Sequence, residues 1–344
     1  MKKSPPKPKA RARVRVTIHD VARQAGVSIY TVSRTLNNVP GVNPETRERV
    51  LDLCRQLNMR PRPVAKRKHF ALVIQKKDRA DPAGYTAMLA FQLLAEVSAR
   101  QMALSLFTED DCETLQRMLF DGILAVTWDD PTIEMLSTLK ETPIVVLNRF
   151  SLTSRFHVVG WDHTAEGRTV AEYLLGLGHK RLAFVAEPPA HWQSTQNRLA
   201  SYRAACDVAR HPLKSNRIEL LETRGQLALA LSRIMASGAD AIYAPAQGRL
   251  GPEVAQILQC SLKVRIPEDI SLVCGEHSGW SSLFTPPLTT VDAPLELLAR
   301  RSVDHLLALI DKRPAAPAEV LLDTPIIERK SVCDRRGRQS RNDG

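Results

Sequence analysis

Thr17-Ile-His-Asp-Val-Ala-Arg-Gln-Ala-Gly-Val-Ser-Ile-Tyr-Thr-Val-Ser-Arg-Thr-Leu-Asn37 is the stretch that decides the fold of the N-terminal part of this chain. Ile18, Val21, Ala22 and Ala25 recur at helical spacing behind Thr17, a residue suited to capping a helix. Gly26-Val27-Ser28 breaks that helix, and Ser28 caps a second one over 29 to 36, with Val32 and Leu36 inward and Asn37-Asn38 at its end. After the Pro40-Gly41 turn, Asn43 precedes Pro44 at the first position of a third helix over 44 to 57. Its Val50, Leu51, Cys54 and Leu57 face the other two. Residues 16–58 therefore predict a small all-α domain.

Two helices joined by a tight glycine-containing turn form a device whose second helix presents its N-terminal side chains to the major groove of DNA. The polar side of that helix carries Tyr30, Thr31 and Arg34. An arginine there can grip guanine with two parallel hydrogen bonds, worth about 1–3 kcal/mol of discrimination. Ser28, Thr31, Ser33 and Asn37 are short donors suited to phosphate oxygens, which set register without reading sequence.

The charge follows the same geography. The chain of 344 residues has 48 Lys and Arg against 37 Asp and Glu, a formal net charge of +11. Residues 1–69 hold 17 basic and 4 acidic side chains, whereas 70–328 hold 25 and 31. A cationic block of this kind attracts a polyanion, because neutralised phosphates release their counterions. Residues 1–15, basic and proline-containing with almost no apolar material, read as a disordered arm. Residues 331–344 read as a second basic tail.

From Phe70 onward, short apolar runs such as 71–74, 122–126, 143–147, 182–185, 241–243 and 270–274 alternate with helical patterns. Parallel sheets built from βαβ units follow. About 260 residues exceed one comfortable core, so two lobes are expected. No run of about 18 apolar residues suggests a membrane span, and no apolar segment follows the basic N-terminus as in a signal peptide. Cys54, Cys112, Cys206, Cys260, Cys274 and Cys333 are scattered, form no zinc-type pairs and read as reduced thiols of a cytoplasmic protein. The sequence also lacks a GxSxG elbow, a phosphate-binding GxxxxGK[ST], an HExxH and a GxGxxG after a strand. No enzyme, metal or cofactor is expected. His163 and His179 stand alone and read as caps or packed side chains.

The runs 16–22, 25–28, 31–37 and 46–51 resemble the DNA-reading head of the lactose-repressor family of bacterial transcription regulators. The resemblance implies that Ile29, Tyr30 and Arg34 face bases, and that Thr17, Ser28, Thr31, Ser33, Asn37, Asn43 and Thr46 face the DNA backbone. It also implies a hinge over 59–69 that folds on DNA and wedges a leucine into the minor groove. Pro61 and Ala65 fit that hinge, but Lys68 stands where the leucine is expected. An ammonium group cannot replace an apolar wedge that unstacks a base step. Weaker kinking is expected, with Arg62, Lys66, Arg67 and Lys68 on phosphates or in the groove.

The resemblance continues through 174–184, 198–202, 266–273 and 286–291 into a core similar to periplasmic binding proteins. It implies two lobes, the first about 70–160 and 289–317, the second about 161–288 and 318–330, with an effector in the cleft between them. Arg198 occupies the position whose guanidinium reaches the effector. Asn148 and Arg149 follow a strand where polar cleft groups are expected. Glu276 stands for the first of two usual aspartates and His277 replaces the second. The usual Asn-Asp pair after Tyr243 is replaced by Ala244-Pro245-Ala246-Gln247-Gly248. Either the ligand is not a common sugar or the cleft is partly vestigial. Trp280 and Trp192 are candidates to stack on a ligand, though packing is the plainer role for both. Lys76-Lys77-Asp78-Arg79 after the first strand favours an anionic effector.

The leading expectation is a homodimeric repressor that binds a pseudo-palindromic double-stranded operator under the control of a small-molecule effector, a sugar or related metabolite. The alternative is a DNA-binding regulator that has lost effector response and keeps its core for dimerisation.

Overall fold

The computed structural model describes residues 17–36, 41–57, 67–76, 84–118, 120–127, 130–139, 142–149, 156–187, 192–245, 249–276, 279–312 and 317–336. The chain divides into two compact units between Lys68 and His69.

The first unit contains α1 (Ile18–Ala25), α2 (Ile29–Leu36) and α3 (Pro44–Gln56). Each start is capped by the residue the sequence points to. The Thr17 hydroxyl and backbone N–H both donate to the Asp20 carboxylate, at 2.8 and 2.9 Å. Ser28 Oγ accepts the Thr31 N–H at 3.0 Å, and Asn43 Oδ1 accepts the Glu45 N–H at 2.9 Å. Gly26 ends α1 at φ 66°, a left-handed conformation that a side chain would strain. Val21, Ala22, Ala25, Val32, Val50 and Cys54 make the shared core, with Leu36 and Leu57 packed on it.

The second unit holds two six-stranded sheets. In the first lobe β1 (His69–Ile74), α4 (Tyr85–Ala99), β2 (Ala103–Thr108), α5 (Cys112–Arg117), β3 (Gly122–Val126), α6 (Asp130–Ser137), β4 (Ile144–Leu147) and β5 (His157–Trp161) alternate as expected. In the second, α7 (His163–Gly176), β6 (Leu182–Ala186), α8 (Trp192–Val208), β7 (Ile218–Leu220), α9 (Leu227–Ala236), β8 (Ala241–Ala244), α10 (Leu250–Gln256), β9 (Ser271–Glu276) and β10 (Thr289–Asp292) do the same. Then α11 (Leu295–Ile310) packs on the first lobe's core, β11 (Glu319–Leu322) pairs in parallel with β5, and β12 (Ile326–Ile327) pairs antiparallel with β10. Central strands are buried on both faces, the pattern of a parallel sheet covered by helices.

Two expected boundaries shift. Residues 289–292 belong to the second lobe, because β10 aligns in parallel with β9 from Thr289↔Val273 to Asp292↔Glu276. Residues 319–322 belong to the first lobe. The chain thus crosses after β5, after β10 and after β11, four or five residues later than expected at the last two points. The expected tail from 331 is also corrected. Ser331 is fully buried, its hydroxyl donating to Leu272 O at 2.6 Å and accepting the Thr289 N–H at 2.7 Å. Cys333 N–H donates to Ser271 Oγ, and Arg335 N–H to Leu177 O. Residues 331–336 are a strap bonded to the second lobe, and 337–344 lie outside the described residues.

Candidate DNA-reading helix and effector cleft

The first turns of α2 project the side chains the sequence nominates. Ile29 is 40% and Tyr30 67% exposed, while Val32 on the opposite side is fully buried. Arg34 Nη1 donates to the Tyr30 hydroxyl at 3.0 Å, and its guanidinium carbon lies 5.4 Å from the Tyr30 ring centre. Residues four apart on a helix meet on one face, so Tyr30 holds Arg34 in place and narrows the rotamers it must give up on binding. Gly41 passes close by: a Cβ there would lie 3.2 Å from Arg34 Nη2.

The hydroxyls assigned to phosphates also have local work. Thr17 is bonded to Asp20, and Ser28 Oγ lies 2.9 Å from Thr31 Oγ1 as well as capping α2. Ser33 and Thr46 are half-buried and Asn43 is exposed. Asn37 lies outside the described residues, as do Arg62, Ala65 and Lys66 of the hinge. Arg67 is exposed and Lys68 half-buried just before β1.

In the second unit the carboxyl ends of the strands gather a different set of groups. Arg198 is 4% exposed, and its Nε lies 2.8 Å from Glu166 Oε2 in the first turn of α7. The Tyr243 hydroxyl donates to Glu166 Oε1 at 2.5 Å, and His163 Nδ1 lies 3.3 Å from Glu166 Oε2. Burial works against the Glu166 charge, yet Arg198 and then His163 outweigh it and hold the carboxyl at about 2. Burial first and Arg198 second push His163 down to about 4, so it is neutral at pH 7. From the first lobe, burial pushes the Tyr85 phenol of α4 up, against the opposing influence of Trp161, the Arg198 charge and Asn148 beside it. Both lobes therefore converge on this group.

Arg198 is thus neither solvent-exposed nor unaccompanied. The sequence did not point to Glu166, Tyr243 or Tyr85; the one available signal was an acid in the first helical turn after the first crossing. His163 is buried against Glu166, a packed side chain as expected. Asn148 adopts φ 57° and its Oδ1 accepts the Trp161 N–H at 3.1 Å, so it joins the end of β4 to β5. Arg149 is ion-paired with Asp130. Glu276 turns inward: Oε1 accepts the Ser281 N–H at 2.9 Å, and Oε2 lies 3.8 Å from Arg329 Nη1. Trp280 follows on that turn and is 54% exposed. His277 lies outside the described residues, and the Trp192 side chain is likewise not described. Lys76 Nζ lies 2.6 Å from Asp110, both exposed, and Lys77, Asp78 and Arg79 lie outside the described residues.

A helix-turn-helix with an exposed, arginine-bearing second helix, followed by two βα lobes around a polar cleft, defines the class of DNA-binding regulators built on a periplasmic-binding-protein-like core. Residues 17–62 match the model of bacterial regulatory proteins of the lacI family, and 171–332 that of the periplasmic binding protein-like domain. Together these stretches cover more than half of the chain. The probable HTH-type transcriptional repressor ExuR of Bacillus subtilis is 28% identical over 339 residues, covering 92% of this chain and 98% of ExuR. The transcriptional regulator CelR in its cellobiose complex is 26% identical with a TM-score of 0.67, over 92% of this chain and all of CelR. The lac repressor dimer bound to operator, at 22% identity, shares the fold with a TM-score of 0.75 over 93% of this chain and 100% of its own. The chain belongs to the lacI family of bacterial regulatory proteins, whose members are transcriptional regulators and not enzymes. Among the described residues no helix is long and apolar enough to cross a membrane.

Proposed function

We propose that this protein is a homodimeric repressor that acts at the bacterial nucleoid, each subunit placing α2 in the major groove of one half of a pseudo-palindromic operator. The observation that carries this is the exposed Tyr30 bonded to a half-buried Arg34 on a helix whose Val32 side is fully buried, within the segment that holds the chain's excess positive charge. Ile29, Tyr30 and Arg34 read bases. Thr17, Ser28, Thr31, Ser33, Asn37, Asn43 and Thr46 hold the backbone, and Arg62, Lys66, Arg67 and Lys68, with Ala65, form the hinge. Two-fold symmetry of the dimer demands inverted half-sites. Selecting bound fragments from random DNA is expected to return such a motif, and a motif without inverted symmetry overturns the dimer assignment.

A small molecule in the cleft is proposed to bias the lobe arrangement, which requires that it bind two arrangements unequally. Arg198, Asn148, Arg149, Glu276 and Trp280 border the cleft. The second reading, loss of effector response with the core kept for dimerisation, is favoured by the internal pairing of Arg198, Arg149 and Glu276. Operator-binding titrations against a panel of sugars and nucleotides separate the two: release or tightening by any of them supports effector control, and complete silence supports its loss.

Lys68→Leu is expected to raise operator affinity severalfold and to increase the bend measured in the bound DNA, since an apolar wedge lowers the cost of opening a base step. An unchanged affinity and bend would remove the hinge assignment.

A further inference from the structure

Glu166 interferes with the use most naturally made of a buried arginine at a ligand cleft. A guanidinium offers fixed donors and a full positive charge to a carboxylate or phosphate. Here the nearest carboxylate belongs to the protein, 2.8 Å from Arg198 Nε, and it is itself fastened by the Tyr243 hydroxyl and His163. The set comprises one anion, one cation, one neutral imidazole and one neutral phenol, with no net charge to offer. An entering anion would meet the Arg198 field cancelled at short range and the Glu166 charge beside it. Among the described residues, four further cations near the carboxyl edges are also paired. Arg224 bridges Glu187 and Glu253, Arg149 faces Asp130, Lys76 faces Asp110, and Arg329 faces Glu276. Asp292, the register partner of Glu276, adds a further acid.

We propose that Glu166 is a specificity-determining residue that restricts the cleft to neutral polyhydroxylated ligands and excludes carboxylated and phosphorylated ones. This rests on the cleft being a small-molecule site. Hydroxyl groups, which both donate and accept, match the mixed surroundings of Arg198, Glu166, Asn148, Tyr85 and Tyr243 without requiring a charge partner. A buried polar site rejects a ligand that leaves its charges unbalanced more strongly than one that merely fits less well.

The test compares the wild-type full-length chain with Glu166→Gln in calorimetric titrations of cellobiose, glucuronate and glucose 6-phosphate. Glutamine keeps the shape and removes the charge. The wild type is expected to bind neither anionic probe, and Glu166→Gln to bind at least one of them about tenfold tighter or more, as one uncompensated charge a few Å away demands. A wild type that binds an anionic probe as tightly as the variant, or a variant that gains neither, overturns the proposal. Should Glu166→Gln not fold in chloride buffer, it is expected to be recovered folded with inorganic phosphate or glucuronate replacing the lost carboxylate; no recovery with either overturns the proposal. Operator release is scored separately. A variant that gains anions beside a wild type whose operator binding ignores every probe removes effector control while leaving the role of Glu166 intact.

Discussion

Replacing Arg34 with alanine is expected to abolish the preference for one base pair in each operator half-site while leaving the grip on random DNA nearly unchanged. A bidentate arginine–guanine contact contributes about 1–3 kcal/mol of discrimination, and a two-fold dimer loses it twice. With both half-sites affected, specific affinity should fall by roughly 30-fold to about 20,000-fold on that basis. Phosphate contacts from the rest of the basic segment survive, so nonspecific affinity and most of its salt dependence should remain. Folding should be little affected, because Arg34 lies outside the Val21, Val32 and Val50 core. Fragment selection with the variant, alongside competition titrations at several salt concentrations, provides the measurement. An unchanged base preference would remove α2 from its assigned role. Tyr30→Phe gives the graded control: it deletes the 3.0 Å hydrogen bond to Arg34 but keeps the ring, so specific affinity should drop less than for the alanine variant.

Arg198→Leu is expected to destabilise the second unit by roughly 3–5 kcal/mol at pH 7, the scale for leaving one partner of a buried ion pair uncompensated. The deficit should depend on pH with a definite sign. In the wild type, the Glu166 carboxyl sits at about 2, below its ordinary 4.5. Its contribution to stability is present above the unfolded value and is lost as pH falls toward 2. Without Arg198, burial raises the carboxyl instead, so the folded variant takes up a proton that the unfolded chain has already released. His163, held at about 4 partly by Arg198, is also released toward its ordinary value and can pair with Glu166 when charged. Protonation of Glu166 favours the folded variant as pH falls, and His163, still lowered by burial, costs the variant less than it costs the wild type. The gap between wild type and variant, measured as urea midpoints, should be widest at pH 7 and narrow toward pH 4.5. A gap that stays constant or widens contradicts the coupling of these three side chains.

The two units differ in how much of them could be read from the chain alone. In the head, every device that ends or starts a helix is local: Thr17 with Asp20, Gly26 at positive φ, Ser28 with Thr31, Asn43 with Glu45. Partners two or three residues apart are visible in sequence, and so is the apolar spacing that brings Val21, Val32 and Val50 together. In the second unit, alternation of strands and helices was legible, but lobe membership was not. Residues 289–292 look like any other strand, and only pairing with β9 places them in the second lobe. The strap over 331–336 was hidden for a related reason. Its basic residues resemble a solvated tail, while the buried hydroxyl of Ser331, which bonds to Leu272 and Thr289, carries no periodic signal.

The cleft makes the same division at the level of chemistry. Arg198 could be singled out by its place in a motif, but its partner could not. Glu166 lies on a different helix and Tyr243 is 77 residues from it along the chain. The sequence by itself determined the head, its reading helix, the concentration of positive charge and the two-lobed class of the core, because each rests on short-range spacing or on composition. Tertiary structure alone decided that Arg198 meets a carboxylate, that Lys76 and Arg149 are already paired, and where the chain crosses between lobes. These depend on strand order, which brings residues from distant parts of the chain within hydrogen-bonding distance, where burial fixes their charge.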